Sequence, residues 1–201
     1  MDPQAQPARM TADEFEDAFG ESEREDRSTE AGCPDLELVD GVVVEGEMPS
    51  QRHQRVLRAL ENQIEPWVQT RHGRTWANPE LRLTTHDVRE PDLIAWWSGQ
   101  TAPLDGQMRA IPNLVVEIIS SRPRDVRRDR EEKATAYAAF GVPHYWLLEP
   151  TGRMFEAFVL RPPRARGGYT RIVLAQGGRV LVPGFPNLVL DLDTLWTYVE
   201  G

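Results

Sequence analysis

The chain has 201 residues, 40% of them hydrophobic, and a formal net charge of -9, which suits one sizeable core and offers no apolar run long enough to cross a bilayer. The acidic balance argues against a generic nucleic-acid coat, because nonspecific duplex binding relies on Lys and Arg to release counterions from phosphate. A single cysteine, Cys33, excludes an intramolecular disulfide, and a polar, acidic start without a secretion pattern points to the reducing cytoplasm.

In chain order, residues 1–9 read as a tail. Met10-Thr11-Ala12-Asp13-Glu14-Phe15 reads as a helix start, Thr11 capping and Glu14 closing a capping box three places on. The helix ends near Gly20, and Glu21 to Pro34, charged and without periodicity, reads as a mobile linker. Residues 1–34 are thus expected as tail, short helix and linker, and 35–201 as one domain. Leu36 and Leu38, then Val42 to Val44, flank Asp40-Gly41, the strongest two-residue hairpin signal in the chain.

From Ser50 to about Arg71, Val56, Leu57, Leu60, Ile64, Trp67 and Val68 recur at threes and fours, one buried helical stripe that Pro66 interrupts near its end. Two strand-like runs follow, Thr75 to Thr84 and Asp92 to Trp97. Leu114 to Ile119 is a nearly continuous apolar run, the pattern of a strand covered on both faces. Asp125 to Phe140 reads as a helix stopped by Gly141 and Pro143. His144 to Leu148, Phe155 to Leu160, Tyr169 to Ala175 and Val180 to Val182 then read as strands. The order predicts an α/β (α+β) fold with a mixed central sheet, flanking helices and a β-rich C-terminal extension.

Three residues stand out of place. Glu117 interrupts the apolar run, where an isolated carboxylate would cost several kcal/mol unless a cation partner or a metal met it. Asp92 stands at the mouth of the strand Leu93-Ile94-Ala95-Trp96, where a turn role after Pro91 is equally ordinary. Of the 23 basic residues all but Lys133 are arginine. Arg is a planar clamp for phosphate, whereas Lys is a compact ammonium suited to orienting water or meeting charge at a reacting centre. Around it Arg122, Arg124, Arg127, Arg128 and Arg130 crowd together, either as a local phosphate surface or paired with Asp125, Asp129, Glu131 and Glu132.

Two carboxylates on neighbouring strands with a lysine on the following helix have a joint chemical use. Mg²⁺ takes one or two protein carboxylates and leaves positions for water and phosphate oxygens. It acidifies water and neutralises phosphate charge, and an ammonium beside it can position the water. Asp129, Lys133 and Tyr137 fall on one helical face at steps of four.

Pro91-Asp92-Leu93, Leu114 to Ser120, Asp129-Arg130-Glu131-Glu132-Lys133 with Tyr137, and Gly141-Val142-Pro143-His144-Tyr145-Trp146 resemble, in that order, the motifs of the restriction-endonuclease-like Uma-type family, a branch of the PD-(D/E)XK nucleases. The similarity runs from Met10-Thr11 through Glu37-Leu38-Val39-Asp40-Gly41 and His53-Gln54-Arg55 to Pro183-Gly184-Phe185. It implies a restriction-endonuclease-like fold, Mg²⁺-dependent cleavage of DNA phosphodiesters with Mn²⁺ as substitute, and a catalytic set of Asp92, Glu117 and Lys133. Asp92 and Glu117 would hold the metal and the Ile118 carbonyl would add a ligand.

The usual superfamily lysine follows the acid by two residues, a place held here by Ile119, so the resemblance implies a lysine migrated to Lys133. Asn113 and His144 also depart from the family pattern. Secondary candidates are His53, Glu80 and Glu37, with Asp129 and Tyr137 on the lysine's helix and Arg124, Arg127 and Arg128 for phosphate. The four histidines show no zinc-like spacing. Two cuts across a duplex suit a homodimer. Two other readings stay open: a nuclease-like fold that binds nucleic acid or protein without cleaving, and an interaction protein whose Arg-rich helix is a dimer surface.

Overall fold

A computed structural model of the chain describes residues 9–20, 36–46, 49–97, 106–119, 128–162 and 168–200. The expected linker from Glu21 to Pro34 lies outside them, as do Arg122, Arg124, Asp125 and Arg127. In chain order the elements begin with α1 (Ala12–Phe19), β1 (Leu36–Val39), β2 (Val42–Glu45), α2 (Gln51–Gln69), β3 (Arg74–Ala77), β4 (Leu81–Thr84), β5 (Asp87–Arg89) and β6 (Leu93–Trp96). After β7 (Leu114–Ile118), a π-helical turn (Arg128–Lys133) runs into α3 (Ala134–Phe140). The chain goes on through β8 (His144–Glu149), β9 (Met154–Leu160), β10 (Tyr169–Ala175), β11 (Arg179–Leu181), β12 (Val189–Asp191) and α4 (Leu192–Glu200). It divides into two compact units, Met1–Met48 with Glu80–Glu90 and Pro103–Arg109, and Pro49–Pro79 with Pro91–Ala102 and Ala110–Gly201.

In the first unit the capping box forms as the sequence predicts: Thr11 Oγ1 accepts the Glu14 N–H at 3.3 Å and Glu14 Oε2 accepts the Thr11 N–H at 2.7 Å. Asp40 (φ 53°) and Gly41 (φ 76°) make the two-residue turn that sets Val39 opposite Val42. β1 then pairs with β5, giving a four-stranded sheet in the order β2-β1-β5-β4. Ala12, Phe15, Leu38 and Val88 form its small core. The single strand expected from Thr75 to Thr84 is two strands, β3 and β4, which belong to different sheets with Pro79 between them.

The second unit is built on a six-stranded mixed sheet, β10-β9-β8-β7-β6-β3, in which β7 and β8 run parallel and the other pairs antiparallel. A parallel pair needs a crossover, and the π-helical turn with α3 supplies it. On one sheet face Leu93, Ala95, Leu114, Val116, Ile118, Trp146, Leu148, Phe155 and Ala157 alternate inward against Val56, Leu60, Ile64 and Val68 of α2 and Leu192, Leu195, Trp196 and Val199 of α4. α2 runs through Pro66 to Gln69. In the β-rich C-terminal part, β9 and β10 widen the central sheet and β11 pairs with β12. α4, not among the expected elements, has buried residues at the same helical spacing as those of α2. Gln63 fixes this end, since its side chain bonds both the N–H (2.8 Å) and the carbonyl (3.0 Å) of Asp191.

Phe185 seals the core, its ring 4.7 Å from Trp146, 5.4 Å from Trp67 and 5.6 Å from Trp97. A fully buried Phe contributes about 2–3 kcal/mol of transfer free energy. Its fourth neighbour is the His144 ring at 4.7 Å, whose buried Nδ1 has no hydrogen-bond partner among the described residues. Burial pushes the His144 imidazole below its ordinary value of 6.5. The unfolded chain therefore takes up this proton first, so stability is lost as pH falls from the ordinary value through the lowered one. Urea unfolding at neutral pH and at about pH 5 should show that loss shrinking in His144→Gln; an identical pH dependence would exclude His144 as its source.

Candidate active site

Strand alternation turns Leu114, Val116 and Ile118 into the apolar core and sends Val115 and Glu117 to the opposite face, beneath the crossover. Glu117 is 3% exposed there. Its compensation comes from the helical crossover: Lys133 Nζ lies 3.0 Å from Oε1 and 3.1 Å from Oε2, and the Tyr137 hydroxyl donates to Oε1 at 2.7 Å. Lys133 and Tyr137 are themselves 4% and 0% exposed. The lone lysine is therefore a buried partner of the buried acid and not a solvent-facing helix residue. It ends the π-helical turn, and Tyr137 follows at the spacing of four that keeps both on one face. Wide π turns of this kind recur at functional sites.

Asp92 immediately precedes the first residue of β6. One step beyond the Leu93↔Val116 pair, its register position is opposite Glu117. Its Oδ2 accepts the Ile118 N–H at 2.5 Å, and its Oδ1 lies 2.7 Å from His53 Nε2. The carboxylate thus extends the β6–β7 ladder by one side-chain hydrogen bond. His53 opens α2, with its N–H capped by Ser50 Oγ at 3.2 Å. The Asp92 carbonyl accepts the Asn78 N–H at 3.0 Å, which fixes the residue from the β3 side.

Of the sequence candidates, then, Asp92, Glu117, Ile118, Lys133, Tyr137 and His53 come together in the second unit. Glu37 and Glu80 are buried in the first unit, where Glu37 pairs with Arg89 at 3.6 Å and accepts the Glu90 N–H at 3.0 Å. Arg128 begins the π-helical turn. Arg124, Arg127 and the Asp129 side chain lie outside the described residues.

Among the described residues no group of three or more His, Cys, Asp or Glu stands close enough to hold a metal ion. A hard divalent ion does not require one, because Mg²⁺ keeps several waters and takes one or two carboxylates. Asp92 and Glu117 fit that demand. They occupy opposed register positions, and on Asp92 each carboxylate oxygen has one described partner, the Ile118 N–H on Oδ2 and His53 Nε2 on Oδ1.

One further buried acid, absent from the sequence candidates, lies on the same sheet. Glu156, in the middle of β9 and 2% exposed, takes Arg130 Nη1 on Oε1 and Arg171 Nη1 on Oε2, the latter at 2.6 Å. Its signal was the one that picked out Glu117, a single acid among apolar strand residues.

The family model Uma2, described as "putative restriction endonuclease", matches residues 24–193. The fold is similar to a crystal structure described as a "putative nuclease belonging to DUF820" from Anabaena variabilis, with a TM-score of 0.70 at 16% identity, covering 94% of this chain and 99% of that one. No curated protein matches the chain. Among the described residues no helix is long and apolar enough to cross a membrane.

Removing one member of a buried pair leaves an uncompensated charge and costs about 3–5 kcal/mol. Lys133→Met should therefore lower stability by that order in urea titrations, and adding Glu117→Leu should restore most of it. A double variant no more stable than Lys133→Met would show that the pair is not the source of the loss.

Proposed function

Because the chain belongs to the Uma2 restriction-endonuclease-like family and has a nuclease-like fold, we propose that it is a divalent-metal-dependent endonuclease that hydrolyses DNA phosphodiester bonds. Asp92 and Glu117 are the proposed metal ligands, the Ile118 carbonyl a third, and Lys133 the cation beside the attacking water. The observation that carries this reading is the burial of the chain's sole lysine against both oxygens of a buried strand glutamate. A purely structural cation would be expected to be one of the many arginines, which bind carboxylates bidentately.

When bound, Mg²⁺ would acidify a water and neutralise charge on the phosphate under attack. The side chains prepare that site. The Ile118 N–H and His53 orient the two Asp92 oxygens, leaving their outer lone pairs for an ion. Tyr137 holds the Glu117 carboxylate in place independently of Lys133, so the ammonium can turn part of its donor capacity toward a water without releasing the acid. Lys133 then donates to the incoming water and offsets the negative charge that grows on the phosphate. Arg124, Arg127 and Arg128 are the proposed contacts to flanking phosphates, a local cationic patch on an acidic chain. A symmetric pair of chains would cut both strands of a duplex.

Supercoiled plasmid incubated with Mg²⁺ or Mn²⁺ should be nicked or linearised, and EDTA should stop the reaction. Asp92→Ala and Glu117→Ala should weaken metal binding in calorimetry and abolish cutting. Lys133→Ala should still bind metal while cutting at least about 100-fold more slowly. Cutting by Lys133→Ala at the parental rate would remove the lysine from the mechanism. A shift of DNA in gels without cleavage in any metal would establish a binding module instead.

A further inference from the structure

Glu117 is not alone on its face of the sheet. The strand register places Glu117 opposite Leu147 of β8, and Leu147 opposite Glu156 of β9, so the two buried acids share one transverse row with a leucine between them. They lie two strand spacings apart, roughly 9.5 Å. Both are met by the same short segment: Lys133 reaches Glu117 and Arg130, three residues earlier, reaches Glu156. The turn that carries the lysine is thus tied to the sheet at two points.

The two ties differ. Lys133 holds to an acid that, in the reading above, shares its charge with a metal ion, and that sharing weakens the ion pair just when the ammonium must stay near the reacting phosphate. Glu156 has no such duty. Each of its oxygens has its own guanidinium, Arg130 from the π-helical turn and Arg171 from β10. Its side chain is 3% exposed, against 34% for Arg130 and 49% for Arg171. A π turn is a rare helical conformation and needs outside support. A lysine stem is flexible and has no shape of its own to fix the ammonium.

We propose that Glu156 and Arg130 form a positioning clamp for Lys133, holding the π-helical turn in register over Glu117 so that the ammonium stays in the site when a metal occupies the carboxylates. Arg171 neutralises Glu156 from the far side and plays no part in positioning the turn. This inference rests on the nuclease reading for its effect on cleavage, but its structural content stands apart from it.

The chain's single lysine gives the test a direct probe, since protein grown with ¹³C,¹⁵N-lysine reports one side chain. Wild type and Arg171→Met should give the same Lys133 side-chain signal, displaced from that of free lysine. Arg130→Met and Glu156→Gln should move it toward the free value, with or without Mg²⁺, while thermal melts show the chain folded. In plasmid cleavage these two variants should lose about 10- to 100-fold in kcat with little change in KM. Arg130→Met replaces a partly exposed side chain, so it keeps the test alive if Glu156→Gln fails to fold. An unmoved Lys133 signal in Arg130→Met overturns the clamp, and so does an equal displacement in Arg171→Met, which would mark a general loss of charge balance. If wild type cuts no DNA, the nuclease reading falls, and the lysine signals still decide the clamp.

Discussion

The second unit is organised around the desolvation of one carboxylate. Glu117 is buried inside β7 against the ammonium of Lys133 and the hydroxyl of Tyr137, and both arrive from the crossover required by the parallel β7–β8 pair. Topology therefore delivers the cation. A strand that ran antiparallel to β7 could follow through a short hairpin and would bring no helix over the acid. The cost of burying the charge and the means of offsetting it are consequences of the same chain reversal.

The two faces of the sheet differ in kind. One face is continuous hydrocarbon, packed by α2, α4 and the aromatic cluster about Phe185, and it supplies rigidity. The other carries Glu117 and Glu156 in a row under the π-helical turn. Asp92 joins just before the start of β6, where its side chain accepts the Ile118 N–H and so prolongs the β6–β7 ladder. Side chains of the face that carries the two acids are thus set by main-chain register, which is fixed by the hydrophobic pattern on the reverse.

Local signals in the sequence were legible where they depended on near neighbours. The Thr11–Glu14 box, the Asp40-Gly41 turn and the stripe from Val56 to Val68 follow from spacing alone. Glu117 and Lys133 were visible as chemical exceptions, one acid among apolar residues and one lysine among arginines. What escaped was nonlocal. The three residues of β5 have no periodicity of their own and form a strand because β1 and β4 flank them. The acids that meet the π-helical turn at Arg128–Lys133 lie in two distant strands and cannot be read from the segment itself. His53 could be named as a candidate, but its contact with Asp92 spans α2 and β6 and exists only in the assembled fold. Glu156 is hidden in the sequence because alternation makes an acid in a strand look solvent-facing until the next layer is known.

α4 gives the chain a temporal order as well as a shape. Its leucines and Trp196 complete the hydrocarbon side of the sheet, and Gln63 grips Asp191 immediately before it. During synthesis the acids and the lysine leave the ribosome well before that seal exists, so the layer that stiffens their strands is absent until α4 docks. A nascent chain can thus carry Asp92, Glu117 and Lys133 and still lack the rigid backing that aligns their strands until α4 has emerged and packed.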